Sequence, residues 1–424
     1  MEDNRSSVPS ILSKVSIFNG DKVLMVIVPI LFVISALTVY SSVAKMGYAH
    51  MGTETNAIFT KHLIVIFVSV VTLLCCYFMG AKFLYRIAPW AYGACWFFTL
   101  GVYFWGANTN DAARWYDFGF SVQPSELLKV ATILMLARVL DDAQATIGNQ
   151  QLIPSLNPWR WDKKGRKSQL SILWEGSVKI LLPIVASTAV IIKAHNSTAL
   201  LVFGIGFVML FIARAKKMEL AKFLLLVIAA GALYFAAGGG RSHTATSRIS
   251  NFVNSWTTPA DTTATRPLSD VDYAMIAIYD GGVVGVGAGH SVMRAKITHP
   301  ESDYIFSFFV EEYGIVMGMI LIILYAWIFA RALHIFRSSR WFFGGMLALG
   351  LALMITVQAL LHFMVSTNLF METGQNLPLI SHGGTSMVCT AAALGLILSI
   401  SRQINNRTLE PPQGIATMTP KEDE

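Results

Sequence analysis

Charged residues are scarce in this chain, and cysteine is rarer still. Only 13% of its 424 residues are Asp, Glu, Lys or Arg, whereas 54% are hydrophobic and the mean hydropathy is +0.56. This balance excludes an ordinary soluble domain and predicts a polytopic membrane protein. All four cysteines fall within apolar segments. We interpret them as small core residues and expect neither disulfides nor metal chemistry from them.

Ten apolar segments are long enough to cross about 30 Å of hydrocarbon. They lie at about 24–43, 59–79, 85–105, 124–140, 177–192, 198–213, 219–238, 304–332, 342–365 and 383–401. The expected fold class is therefore an all-α polytopic membrane protein with ten transmembrane helices. Lys and Arg are concentrated in the connections on the side of the N-terminus, which places both termini in the cytoplasm. The net charge of +7 reflects this topology and gives no indication of nucleic-acid binding.

One membrane domain is expected over residues 21–405, with polar cytoplasmic tails at 1–20 and 406–424. The connection at 239–303, between the seventh and eighth spans, is a large extracytoplasmic loop, and unusually long loops are often functional. Within it, the apolar run Tyr273–Tyr279 predicts a short helix. The glycines at 281–289 favour a tight re-entrant turn over a dinucleotide-binding loop, because no βαβ unit surrounds them.

Ionisable side chains stand where a polar loop enters the fourth span. Pro124 suits the first turn of a helix, and Glu126 is favoured by the positive helix end. Lys129 follows three residues later, where it can pair with Glu126. One interpretation is a structural salt bridge, with Arg114 anchored at the headgroups. The other is that Arg114 and Lys129 bind an anionic ligand such as a lipid pyrophosphate, with Glu126 orienting them.

Acidic residues cluster at the start of the eighth span. Asp303 precedes the span, and Glu311 and Glu312 lie inside it, where carboxylates must face protein or water. They suit a proton path, a metal site or an ion pair with buried cations such as Lys129 or Arg114.

The loop before the tenth span is nearly uncharged. Its glycines, Gly383 and Gly384, allow a ligand or another helix to approach the backbone closely. The neighbouring His382 is, on its own, more typical of a hydrogen-bonded loop residue than of a catalytic base.

Together these segments resemble the SEDS family (shape, elongation, division and sporulation) of peptidoglycan polymerases, over roughly residues 20–405. The polar leader and the spacing of Gly287, Gly289 and Ser291 favour the division-type FtsW branch over the elongation and sporulation branches. The matching motifs are Ala113-Arg114-Trp115, Gln123-Pro124-Ser125-Glu126 with Lys129, the 281–291 run, Asp303-Tyr304-Ile305-Phe306, Glu311-Glu312-Tyr313-Gly314, and 377–386.

The resemblance implies an inverting glycosyltransferase that polymerises lipid II outside the bacterial cytoplasmic membrane and releases undecaprenyl pyrophosphate. It implies a class B penicillin-binding transpeptidase and other division proteins as partners at the septum. It also leaves room for a divalent cation, Mg²⁺ or Mn²⁺. The implied substrate-binding residues are Arg114, Gln123, Ser125, Glu126, Lys129, Lys193, Asp303, Glu311, Glu312, Ser381, His382, Gly383, Gly384 and Ser386.

The chain departs from the family pattern at the catalytic position. Members carry an essential Asp before a proline in the long loop, but here Thr258 precedes Pro259. Asp261 is the nearest carboxylate and our first choice, with Asp270 and Asp272 as alternatives.

A second departure lies before the sixth span, where many members carry Pro-Asp-Leu-Gly-Thr. The segment 193–198 replaces that motif, which leaves the ligand role of this loop open. Two other functions therefore remain under consideration, a lipid II flippase and a non-catalytic scaffold of the division machinery.

Overall fold

The computed structural model describes residues 19–49, 53–109, 112–117, 121–155, 166–238, 242–257, 268–298, 301–406 and 408–409. A π-helical segment, Leu173–Leu181, joins the helices Arg166–Ile172 and Leu182–Ile192, so that 166–192 is one continuous helical rod. The α-helices are α1 Lys22–Ala49, α2 Thr53–Phe78, α3 Ala81–Trp105, α4 Pro124–Asp142, α5 Arg166–Ile172, α6 Leu182–Ile192, α7 Asn196–Ile212, α8 Lys217–Ala236, α9 Ser242–Thr257, α10 Asp270–Gly281, α11 Ile305–Ser338, α12 Phe342–Ser366 and α13 Gly384–Asn405.

Each of the ten predicted spans coincides with one of these helices or with the 166–192 rod. Among the described residues, seven helices are long and apolar enough to cross a membrane: α1, α2, the rod, α8, α11, α12 and α13. The helix α7 has only 17 residues, and α4 carries charged residues at both ends. A mainly helical, multi-pass membrane protein is therefore confirmed, whereas the count of ten spans stays a prediction.

The connection between α3 and α4 contains three short strands, which corrects the expectation of a purely α-helical chain. They are β1 Ala107–Thr109, β2 Ala112–Asp117 and β3 Ser121–Val122, and they pair antiparallel in that order. Strands of two to six residues are too short to leave a clear periodic signal in the sequence. Tyr116 attaches this sheet to α3, since its ring stacks on Phe98 at 4.8 Å and its hydroxyl donates to the Phe98 carbonyl at 3.2 Å.

Among the seven long apolar helices, α12 and α13 are the most buried, and they lie at the centre of the bundle. The helix α13 packs against α2 and α12, and α12 packs in turn against α11 and α4. By contrast, α8 exposes most of its apolar side chains, including Leu225 and Phe235. Such a helix suits lipid contact at the edge of a membrane bundle.

The glycine run after α10 fills a break in α11. At Gly314 the backbone leaves the helical region, with φ 82° and ψ 167°. The N–H groups of Val286 and Gly287 donate to the carbonyls of Glu311 and Glu312 at 2.9 and 3.0 Å. A broken helix persists in a bilayer only when the freed backbone groups find such partners. The short helix and tight turn predicted for this region are both present.

Candidate functional site

The N-terminus of α4 places a buried ion pair next to the loop that precedes α13. Pro124 occupies the first helical turn, as predicted. The Lys129 ammonium lies 2.9 Å from the Glu126 carboxylate, and both side chains are more than 90% buried. It also donates to Gln358 of α12 at 3.1 Å, and the Gln358 amide donates to the Asn376 carbonyl at 2.9 Å. The i+3 pairing predicted from sequence is therefore confirmed.

Lys129 keeps binding capacity despite this pairing. Its ammonium carries three N–H donors, and the contacts within the described part of the chain use two of them. The third donor can serve a water or an anionic ligand.

A second polar group, at the start of α7, faces the same loop. The His195 ring caps the helix by accepting from the Thr198 N–H at 3.3 Å. The Gln375 amide donates to the Thr198 hydroxyl at 3.0 Å. The Gln375 carbonyl lies 2.9 Å from Nδ1 of His362, on α12. Three elements distant in sequence therefore meet at the loop 367–383.

The long loop 239–303 contributes α9 to this region. Arg248 donates to the Glu372 carbonyl at 3.1 Å, and the Trp256 indole donates to the Asn368 carbonyl at 3.2 Å. Both residues lie on α9, just before Thr258 and Pro259. This part of the long loop therefore packs on the loop 367–383, which contacts His195 directly and Lys129 through Gln358.

Burial and two cations act on His195. Burial is the largest cause that lowers its pKa to about 4, and the charges of Arg248 and Lys129 contribute to the same shift. His195 is therefore neutral at pH 7 and acts as a helix cap. The Lys129 charge is paired with Glu126 in this structure.

The pKa of His195 predicts a pH dependence of stability. Its folded pKa lies below the ordinary value of 6.5, so the unfolded chain binds more protons between pH 6.5 and about 4. The stabilisation by neutral His195 is complete above pH 6.5 and is lost as pH falls towards 4. Thermal unfolding from pH 4 to 8 should show a smaller acid loss for His195→Asn, which keeps a neutral cap, than for wild type. Parallel curves for the two proteins would assign the acid loss to other groups.

The residues 376–386 combine close packing with backbone strain. Leu379 is buried at φ 65°, a conformation that non-glycine residues rarely adopt outside functional or tightly packed sites. A Cβ on Gly383 would lie 2.4 Å from the Asn376 side-chain amide nitrogen, so a larger residue here would have to displace that side chain. Ser381 accepts from the Leu377 N–H at 2.7 Å and donates to the Ser302 carbonyl at 2.9 Å.

Four further predicted residues belong to this region, of which His382 and Gln123 have polar neighbours from other elements and two serines are buried. The His382 N–H donates to the Glu301 carbonyl at 2.9 Å, and its Nδ1 lies 3.3 Å from Nδ1 of His62. The Gln123 N–H donates to the Thr385 hydroxyl at 3.1 Å, which ties the α4 and α13 N-termini together. Ser125 is buried at the first turn of α4, as Ser386 is at the first turn of α13.

Glu311 and Glu312 are placed away from Lys129. Glu311 accepts from the Val292 N–H at 2.8 Å and from the Ser291 hydroxyl. Glu312 accepts from the Gly289 N–H at 2.8 Å and from the Ser41 hydroxyl. The suggested pairing with Lys129 is wrong, because Lys129 pairs with Glu126. The expected ion pair with a buried cation is present for Glu312, which lies 3.9 Å from the Arg294 guanidinium. Both acids attach the glycine run to α11.

The remaining acidic candidates are the aspartates of the long loop and Asp303. Asp261 lies outside the described residues. The Asp272 carboxylate accepts from the Ser269 N–H and hydroxyl, both at 2.8 Å, in a capping box at the start of α10. Asp270 is partly buried in the same turn, and Asp303 accepts from the Ser302 hydroxyl at 3.2 Å.

The two basic candidates outside α4 are Arg114 and Lys193. Arg114 lies on β2, but its side chain is outside the described part of the structure. Lys193 is exposed, with its ammonium 5.9 Å from the centre of the Tyr103 ring.

Three residues at the site were not predicted from sequence: His195, Gln358 and Gln375. One usable signal existed, because Gln358 and His362 are polar residues four apart in an otherwise apolar span. His195 and Gln375 join through contacts between segments about 180 residues apart, which spacing cannot reveal.

Known proteins resemble this chain along most of its length. A family model described as cell cycle protein, named for FtsW, RodA and SpoVE, matches residues 21–406. A probable peptidoglycan glycosyltransferase FtsW of Thioalkalivibrio sulfidiphilus is 28% identical over 303 residues, covering 70% of this chain and 68% of that protein. Stage V sporulation protein E of Bacillus subtilis is 26% identical over 299 residues, covering 70% and 73%.

Solved structures show the same fold. A chain from a peptidoglycan synthase complex that coordinates polymerization and crosslinking superposes with a TM-score of 0.64 at 20% identity, covering 91% of this chain and 98% of that one. The rod shape determining protein RodA of Thermus thermophilus gives a TM-score of 0.59 at 20% identity, covering 91% and 97%. The resemblance predicted from the motifs is confirmed, and the chain belongs to the FtsW/RodA/SpoVE family of cell cycle proteins, the SEDS family.

Proposed function

We propose that this chain is a peptidoglycan glycosyltransferase that joins lipid II units into glycan strands and releases undecaprenyl pyrophosphate. Family membership and the glycosyltransferase names of its relatives support this activity. The observation that carries the proposal is the buried Lys129–Glu126 pair, positioned by Gln358 beneath a loop that also binds Arg248.

The reaction places two demands on the site. The 4-hydroxyl of one disaccharide attacks the anomeric carbon of a lipid-linked chain, the configuration inverts, and the pyrophosphate leaves. Negative charge develops on the leaving group, and fixed cations in a water-poor site stabilise it strongly. Lys129 is suited to this role, with Glu126 and Gln358 holding its ammonium in place.

The second demand is a carboxylate that takes the proton of the attacking hydroxyl. Asp261 is the first choice, because it follows the α9 stretch that packs on the site loop. Asp270 and Asp272 remain the alternatives, although the capping role of Asp272 accounts for its carboxylate without any ligand.

Substrate contacts are proposed for the loop motifs as well. Gln123 and Ser125 at the start of α4, and 381–386 at the start of α13, would surround the sugar and pyrophosphate. Arg114, Lys193, Asp303, Glu311 and Glu312 stay in the proposed set, with the two glutamates acting through the glycine run.

A divalent cation, Mg²⁺ or Mn²⁺, remains part of the expectation. Among the residues that the structure describes, no three His, Cys, Asp or Glu side chains come together in a way that could hold a metal ion. Because the described residues do not form a metal site, no step of the reaction is assigned to a metal.

The membrane topology and partners complete the proposal. We place ten spans in the bacterial inner membrane, both termini in the cytoplasm, and the 239–303 loop outside. Lipid II is the substrate, a class B penicillin-binding transpeptidase and other division proteins are the partners, and the division septum is the site of action. The structural similarity to a chain of a peptidoglycan synthase complex supports a transpeptidase partner.

The test is a polymerisation assay with the purified full-length protein, its cognate transpeptidase and labelled lipid II. We expect wild type to form glycan chains and Asp261→Ala to form none, with unchanged membrane expression. Asp280→Ala, at an exposed carboxylate of the same loop that belongs to no proposed set, is the matched control and should keep its activity. Full activity in Asp261→Ala with loss in Asp270→Ala or Asp272→Ala would move the base to that residue.

A further inference from the structure

A groove of about 670 Å³ opens on the side of the bundle, between α3, α4 and the 166–192 rod. The α4 residues that line the groove begin at Met135 and lie towards the C-terminal end of the helix, whereas Lys129 lies nearer its N-terminus. No residue of the loop 367–383 lines it. The groove is therefore separate from the candidate functional site.

The two ends of the groove differ in polarity. One end is lined by Arg138 and Asp142 of α4 and by Glu175 and Lys179 of the rod. The other end is lined by Tyr92 and Trp96 of α3 and by Pro183 and Ala186 of the rod. At 1.5 Å per residue, Lys179 and Ala186 lie about 10 Å apart along the rod. A ligand that fills the groove must be polar at one end and apolar at the other.

The apolar end offers no hydrogen-bonding group from its aromatic side chains. The Tyr92 hydroxyl donates to the Pro183 carbonyl at 3.1 Å, and the Trp96 indole donates to the Ala186 carbonyl at 3.1 Å. Their polar atoms are used in holding α3 to the rod, and their rings present carbon surface to the groove. Such a surface suits a hydrocarbon chain.

The polar end contains equal numbers of positive and negative groups. Lys179 and Glu175 form an ion pair at 2.8 Å in which both side chains are about half exposed. Arg138 lies over the Tyr85 ring at 4.7 Å and donates to the Tyr85 carbonyl, and Asp142 accepts from the Tyr85 hydroxyl. Two cations beside two carboxylates complement a headgroup that carries both a phosphate and an ammonium. An anionic headgroup would meet repulsion from the two carboxylates.

The size of the groove favours a lipid chain over a protein helix. A helix of about 10 Å diameter crossing 30 Å of membrane occupies roughly 2,000 Å³. The groove has about a third of that volume, within the range of roughly 300–1,000 Å³ of small-molecule sites. Five lining residues, among them Trp174 and Val178, belong to the π-helical segment, a geometry that is frequent at functional sites.

We propose that this groove is a specific site for one zwitterionic phospholipid, with an acyl chain against Trp96 and Pro183 and its headgroup at Glu175 and Lys179. In the proposed orientation, the lipid belongs to the cytoplasmic leaflet. A polyprenyl tail fits less well, because it has no polar group to place among the four charged side chains.

Gly93 provides a way to fill the groove without disturbing the fold. It lines the groove, and a Cβ added to it would meet no atom within 4 Å. Gly231 on α8 has the same free space but lies away from the groove, so Gly231→Leu is a matched control. Both substitutions replace a helical glycine by a good helix former and should leave the thermal midpoint unchanged or higher.

The experiment is native mass spectrometry of the delipidated full-length protein, titrated with phosphatidylethanolamine or phosphatidylglycerol. Wild type and Gly231→Leu should bind one phosphatidylethanolamine at least tenfold more tightly than phosphatidylglycerol, and Gly93→Leu should lose that binding at least tenfold. Replacing Glu175 and Lys179 together by glutamine should remove the headgroup preference. Equal binding by Gly93→Leu and Gly231→Leu, or equal affinity of wild type for the two lipids, would overturn the proposal. Binding is measured without turnover, so the result does not depend on the glycosyltransferase proposal.

Discussion

Glycan-chain formation should fall by about a hundredfold or more when Lys129 is replaced by methionine. The substitution keeps most of the side-chain volume but removes the cation proposed to stabilise the leaving pyrophosphate. It also leaves the buried Glu126 carboxylate without its ion-pair partner, at a cost of about 3–5 kcal/mol in the free energy of unfolding. The loss of activity should appear in the polymerisation assay, and the loss of stability should appear in thermal unfolding.

The double substitution Glu126→Gln with Lys129→Met separates the two effects. Removing both charges leaves no unpaired ion, so most of the stability should return, since buried ion pairs often add little over neutral residues of similar volume. Activity should stay low, because the cation is still missing. A stable double variant with wild-type polymerisation would show that the pair is only structural, the alternative left open by the sequence.

Gly285→Ala should prevent accumulation of folded protein in the membrane. Gly285 has φ 91°, and a Cβ there would lie 2.3 Å from the Glu312 carbonyl oxygen. The overlap is with backbone, which no rotamer change can relieve. The glycine run would have to leave the break in α11, exposing carbonyls at Glu311 and Glu312. Size-exclusion chromatography of detergent extracts measures the folded fraction.

Gly289→Ala is the matched control for this substitution. Gly289 also has a positive φ, 81°, but its added Cβ would meet no atom within 4 Å. Only the backbone strain of about 1–2 kcal/mol applies there, so a folded peak should remain. Similar losses in both variants would attribute the effect to φ alone and not to the contact with α11.

The features that depended on local spacing were predicted best. Pro124, Glu126 and Lys129 lie within six residues on one helix, so the start of the helix and the ion pair follow from helical geometry alone. Each of the ten predicted apolar segments coincides with a described helix or with the 166–192 rod, and the glycine run indicated its own tight turn. The short strands β1–β3 were missed, because strands of two to six residues show no measurable alternation of polar and apolar side chains.

The features that depended on tertiary contacts could not be predicted. The sequence placed Glu311 and Glu312 correctly inside a span, but their partners Ser291 and Gly289 are reached only because α11 breaks at Gly314. His195 likewise meets the site loop only through the packing of α7 against α12. The position of the catalytic carboxylate stays a prediction, since Asp261 lies outside the described residues.

The most direct test of the account is the wild-type reaction in proteoliposomes that contain labelled lipid II and the cognate transpeptidase. If the buried cation at α4 serves sugar transfer, the label should appear in long glycan chains, and Lys129→Met should leave it in lipid II. Transfer of intact lipid II between leaflets, with no glycan chains from a well-folded protein, would contradict a polymerase and favour the flippase.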